Sequence, residues 1–172
     1  QVRAMTTAQW DVLSTTQVAA LESDQVYAIE TADLAVLDAN QLAAIAPVSV
    51  ASLTTDQIKA LETSQLEGLT TRQLAQMTSG QIRALATDRI AALSTLQAAS
   101  LGSSQLSALL TGQVQALETR DLAVLNTSQI GAFTTAQVGS LTTDQLRNLS
   151  TTQLQALTSA QVSALSGAQM AG

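Results

Sequence analysis

Hydrophobic and polar positions recur along this chain with a period of eight. With Thr54-Thr55-Asp56-Gln57-Ile58-Lys59-Ala60-Leu61 as the reference octad, one register runs from residue 6 to residue 172 as twenty full octads and one short by a residue. Position five is apolar in all 21, from Trp10 through Ile58 to Met170, and position eight is apolar in all 20 octads that possess one, sixteen times as Leu. Position four is Gln in 17, the exceptions being Asp33, Ser49, Arg89 and Asp121. Position two is Thr or Ser in 18 octads, and position seven is Ala, Ser or Gly in 16. Apart from Arg3, every charged residue stands at position one, three, four or six. This partition predicts that positions two, five, seven and eight face inward and the other four face water.

Positions two, five and eight lie three apart, so they share a face only in a helix. One continuous helix fails on arithmetic: at 3.6 residues per turn the apolar stripe rotates by about 80° per octad, and no partner helix follows it. A β-solenoid fails on parity, because positions five and eight would point to opposite faces of a strand. What remains is one short helix per octad and then a corner: an all-α solenoid of 21 repeats, with residues 1–5 as a lead-in and 6–172 as a single array. The spacing of Thr54 to Gln57, Thr70 to Gln73 and Thr142 to Gln145 matches a capping box. Pro47 at position two suits a first helical residue, and Glu22, Glu30, Asp38, Glu62 and Glu118 at position one suit a helix N-terminus. The regular Thr at position two has two readings: it is the true cap, or its hydroxyl bonds a neighbouring turn while its methyl packs inward, and the second is preferred.

Helices this short do not persist alone in water. Successive octads must therefore bury one another's aliphatic faces, with Ile58, Leu61, Leu66, Leu69, Leu146 and Leu149 representative of the expected core. Small residues at position seven permit close approach of neighbouring helices. The number of octads per superhelical turn stays open, although an alternation at position three hints at a two-octad unit. If the turn held four, Asp24, Asp56 and Asp88 would stack as a column. The most divergent octad contains Ala46-Pro47-Val48-Ser49-Val50; Leu110 places an apolar residue outward, and Gly131 and Gly139 thin the outer skin near Phe133.

Composition narrows the functional classes. The chain is 46% hydrophobic, 12% charged and 2% aromatic, with neither Cys nor His, which excludes disulfides and thiol chemistry and removes the usual ligands of zinc and haem. A net charge of −6 with Lys59 as the one lysine opposes nucleic acid and anionic membranes. No stretch reads as a spanning segment, so membrane insertion is not expected. Glu30 with Asp33, and Glu118 with Asp121, are the carboxylate pairs; read as outward groups without an apolar pocket, they lack what a general acid needs. No catalytic, cofactor-binding or metal-ligating residue and no cofactor is expected.

The Leu-Thr-Thr-x-Gln-Leu-x-Ala start resembles the first helix of transcription activator-like effector repeats, but the 34-residue period and basic interior of that family are missing, and DNA reading is rejected. Nearly the whole chain, most clearly residues 53–61, 69–77 and 141–149, resembles arrays of Leu-Thr-Thr-x-Gln-[Ile/Val]-x-Ala-Leu in large repetitive, adhesin-like bacterial surface proteins. The resemblance implies an extracellular or cell-surface location and a bacterial origin, and specifies no activity. The expected function is structural: a self-assembling filament subunit or an adhesin stalk, whose open ends either continue into a longer array or stack on other copies. The alternative is a ligand-binding module for ice or glycans that uses the Thr/Ser/Gln surface.

Overall fold

The computed structural model describes residues 2–170, and among them every regular element is helical. Residue 1 of the expected lead-in and residues 171–172 of the expected array lie outside the described residues. A 3₁₀ turn at Val2–Ala4 precedes the array. The chain falls into two compact units, Gln1–Leu85 and Ala86–Gly172. The first holds α1 (Thr7–Asp11), α2 (Thr15–Ala19), α3 (Ser23–Tyr27), α4 (Thr31–Val36), α5 (Ala39–Ala44), α6 (Pro47–Val50), α7 (Thr55–Ala60), α8 (Thr63–Gly68), α9 (Thr71–Gln76) and α10 (Ser79–Ala84). The second holds α11 (Thr87–Ala91), α12 (Thr95–Ser100), α13 (Ser103–Ala108), α14 (Thr111–Ala116), α15 (Thr119–Ala123), α16 (Thr127–Gly131), α17 (Thr135–Ser140), α18 (Thr143–Arg147), α19 (Thr151–Gln155), α20 (Ser159–Ser163) and α21 (Gly167–Met170). Each octad is thus one helix and one corner, and the fold is an all-α solenoid.

The corner consists of two extended residues. Leu61 at position eight has φ −63° and ψ 132°, and Glu62 at position one follows with φ −74° and ψ 161° before α8 begins. Leu61 N–H closes the end of α7 by donating to the Ile58 carbonyl at 3.3 Å, a tightened last turn. No described residue has a positive φ, so the corners need neither Gly nor a left-handed cap. Position eight can therefore stay Leu, and Leu61 in its corner is fully buried.

Within each unit, a helix packs on the one three octads later. In the first unit α1, α4, α7 and α10 form one column, α2, α5 and α8 a second, and α3, α6 and α9 a third. In the second unit the columns are α11, α14, α17 and α20; α12, α15, α18 and α21; and α13, α16 and α19. Three octads therefore complete a turn, and the two-octad unit suggested by position three is not found. Residues 32 apart fall in different columns: Asp24 belongs to the column of α3 and Asp56 to that of α7.

Positions five and eight fill the interior: Ile58, Leu61 and Leu66 are wholly buried, and Leu69, Leu146 and Leu149 are at most 7% exposed. The expected partition needs correcting at two positions. Position four is buried where an earlier turn lies beneath it, as at Gln57, Gln73 and Gln145, and exposed at Gln9 and Gln17 of the first turn, while position two is exposed or half-buried, as at Thr55, Thr71 and Thr143. Position two is the first helical residue and points away from the axis, whereas the side chain three residues from the cap folds under the helix start. Position seven is where helices come close. A Cβ on Gly68 of α8 would lie 2.5 Å from the Ala39 Cβ of α5. Gly131 and Gly139, expected as thin places in the skin, are contact points too, with Cβ positions 3.2 and 3.0 Å from the carbonyls of Ala156 and Ala164.

Candidate functional site

The recurring site of this molecule is the joint between one turn and the next, and it is built around the position-four glutamine. Gln57 N–H donates to the Thr54 hydroxyl oxygen at 3.2 Å, and Thr54 N–H donates to Gln57 Oε1 at 2.6 Å, a reciprocal capping box. Gln73 with Thr70 and Gln145 with Thr142 repeat it. Position one is the N-cap in each. Where position one is Glu62, Gly102 or Leu110, the N–H of that residue still donates to Oε1 of Gln65, Gln105 or Gln113 at 2.7 or 2.8 Å.

The amide nitrogen of the same side chain makes the joint. Gln57 Nε2 donates to the carbonyls of Val26 and Tyr27 at 3.3 Å and of Ile29 at 2.6 Å, which lie 28 to 31 residues earlier. Gln73 Nε2 reaches the carbonyls of Leu42 and Ile45 at 2.7 and 2.8 Å, and Gln145 Nε2 those of Val114 and Leu117 at 2.9 and 2.8 Å. Gln41, Gln65, Gln81, Gln137 and Gln153 bond the preceding turn in the same register, and Gln161 reaches the Phe133 carbonyl. A corner of two extended residues leaves its carbonyls without a helical partner, and a buried carbonyl must find a donor. One glutamine therefore caps its own helix with Oε1 and closes the preceding corner with Nε2. Spacing reveals the first role. The second has a sequence signal as well: a capping box accepts Glu as readily as Gln, yet no position four is Glu.

Position-two hydroxyls play a smaller part than expected. They cross to the next turn where position four departs from Gln: Thr7 Oγ1 donates to Asp33 Oδ1 at 2.8 Å, and Ser23 and Ser49 hydroxyls meet at 3.2 Å. Ser103 Oγ donates to the Ser128 carbonyl at 3.4 Å. The Thr95 hydroxyl lies beside Asp121, and many of the others, such as Thr55, Thr71 and Thr135, are exposed.

Two carboxylates are not where the partition puts them. Asp33 is 6% exposed and Asp121 is not exposed at all. The Asp33 carboxylate takes the Thr7 bond, whereas no hydrogen bond of good geometry reaches either oxygen of Asp121. Burial pushes the Asp121 carboxyl above the usual carboxylate range, opposed by the neighbouring Arg120 guanidinium and the Thr95 hydroxyl. Arg120 Nε lies 3.9 Å from Asp121 Oδ1 and pairs more closely with Glu118, at 2.8 Å. Among the described residues no three acidic side chains gather as metal donors, and no helix is long and apolar enough to cross a membrane.

Charge is distributed unevenly. In the second unit, α13, α14, α16, α17, α19 and α20 carry no charged residue, and their position-two residues Ser103, Thr111, Thr127, Thr135, Thr151 and Ser159 are all exposed. The profile of the ALTTAQ repeat matches residues 1–28, 26–63, 50–87, 58–95, 114–146 and 143–172. A comparison with curated proteins returns no match.

Proposed function

The chain belongs to the ALTTAQ repeat family, and from that premise we propose that it is a structural element of the bacterial cell exterior, a filament subunit or adhesin stalk that acts through length and shape. One observation carries this reading. The joint made by Gln57, Gln73 and Gln145 addresses backbone carbonyls, so every turn offers the same acceptors to whatever octads come next, regardless of their surface residues. A protein that builds extent from interchangeable layers needs no active site, and with neither His nor Cys in the sequence we assign it no catalytic role. The extracellular placement rests on the resemblance of residues 53–61, 69–77 and 141–149 to surface-protein arrays. Sedimentation of the purified chain over a hundred-fold concentration range tests the assignment. Growth into long oligomers supports the filament, a concentration-independent monomer supports the stalk, and a compact closed oligomer contradicts both.

A second reading rests on the uncharged octads of the second unit. Their exposed hydroxyls form a neutral hydrogen-bonding surface suited to an uncharged lattice or polymer, ice or a neutral glycan. Thermal hysteresis of the chain in solution and its retention on a glycan array test this reading, and inactivity in both removes it.

A further inference from the structure

We propose that Asp121 is a proton-operated latch between two turns of the second unit: its neutral carboxyl supplies the hydrogen that a position-four amide supplies elsewhere, and ionisation releases that hydrogen to water and loosens the layer. Position-four amides bond carbonyls 31, 30 and 28 residues earlier, as Gln153 does with Leu122, Ala123 and Leu125. The same register sets Ile90, Ala91 and Leu93 opposite Asp121. An ionised carboxylate there sets acceptors against the carbonyls of the opposing corner, in a place with no solvent exposure where, although the Thr95 hydroxyl lies near, neither oxygen completes a hydrogen bond of good geometry. A proton on one oxygen turns the group into the donor that this face of the turn requires.

The surrounding charges do not remove the need for that proton. On α15 itself, Arg120 is 3.9 Å from Oδ1 but is 63% exposed and is held by Glu118 at 2.8 Å. α12, packed beneath, contributes the Thr95 hydroxyl and no ionisable group. α18, packed above, has Asp144 and Arg147, both on the exposed side and 3.9 Å from each other. α11, which precedes the opposing corner, carries Asp88 and Arg89, paired at 3.3 Å. Asp33 stands at the same octad position with no arginine beside it, and there the position-two hydroxyl of Thr7 donates to the carboxyl at 2.8 Å, whereas the corresponding Thr95 hydroxyl lies near Asp121 without completing a bond of good geometry.

The latch sets a sign for pH dependence. A carboxyl that holds its proton more tightly when folded favours the folded state at low pH, and this contribution is lost as pH rises from about 4, the ordinary carboxylate value, through the raised value. Thermal melts of the full chain, its Asp121→Gln variant and its Asp121→Asn variant between pH 4 and pH 8 test it. Asp121→Gln restores the amide of the repeat and is expected to melt above the parent at pH 8, with the gap between them narrowing by about 4 °C or more on going to pH 4. Asp121→Asn, which keeps the size and removes the titration, is expected to narrow its gap in the same direction. Parallel pH curves for all three chains overturn the proposal. So does a parent whose stability at pH 8 is restored by added calcium and not by acid, since a cation would then supply what the proton is inferred to supply.

Discussion

An amide nitrogen is what distinguishes glutamine from glutamate, and at Gln73 that nitrogen faces the carbonyls of Leu42 and Ile45 in a fully buried joint. Gln73→Glu would keep the oxygen that accepts from Thr70 N–H while replacing the donor with a charge pressed against acceptors. The expected loss is roughly 2–4 kcal/mol, a lost buried bond plus an unpaired charge. Thr70→Ala removes only the hydroxyl half of the cap and is expected to cost about 1 kcal/mol. Urea denaturation of the two variants checks the order, and equal midpoints would mean that Gln73 serves only as a cap. At this scale the sequence is legible through what it withholds. The Thr-x-x-Gln spacing predicts a capping box, and the absence of Glu at position four is the trace of the second bond. The burial of Asp121 was harder to read, because charged residues at position four resemble those at positions one, three and six until the side chain's direction is known.

Helices of five or six residues have almost no interior, so what neighbours permit governs them more than propensity does. Gly68 and Gly80 separate the two influences. Gly68→Ala would set a methyl 2.5 Å from the Ala39 Cβ and force α8 away from α5, with an expected cost of about 1–3 kcal/mol. Gly80→Ala in α10 meets nothing closer than the Thr78 hydroxyl at 3.9 Å and is expected to stabilise the chain by about 0.4–1 kcal/mol through the unfolded state. Opposite shifts of the denaturation midpoint check the pair. α6 offers a complementary repair. Its N-cap Ala46 has no capping side chain, and Ser49 occupies the glutamine position. Ala46→Thr with Ser49→Gln is expected to raise stability by about 1–2 kcal/mol, measured as an upward shift of the same midpoint. One helix per octad was readable because an eight-residue period is incompatible with a straight helix, and the three-residue spacing of positions five and eight with a strand. The stacking of every third helix was not, since it depends on how far two extended corner residues such as Leu61 and Glu62 redirect the chain, and position three carries no record of that angle.

For the molecule as a whole, the joint's choice of backbone acceptors over side-chain acceptors makes the octad interchangeable. Removing Thr54–Leu61, one whole octad, leaves Gln65, Gln73 and Gln81 opposite the carbonyls of an octad corner, although a different one from before. Gly68 would then approach the backbone at Thr31 in place of Ala39, which a glycine tolerates. Such a chain is expected to keep its helicity per residue and to melt cooperatively, as nearest-neighbour repeat arrays do. Removing four residues, 58–61, deletes a position-five and a position-eight side chain together and joins the start of one helix to the cap of the next. The array is then interrupted by a half-octad, 54–57, that keeps Gln57 but has no core side chains and no corner of its own, and a markedly lower denaturation midpoint is expected. Circular dichroism and urea denaturation of the two deletions separate the alternatives. If the eight-residue and four-residue deletions lose stability equally, then specific side-chain matches between turns, and not a repeated backbone joint, hold the molecule together.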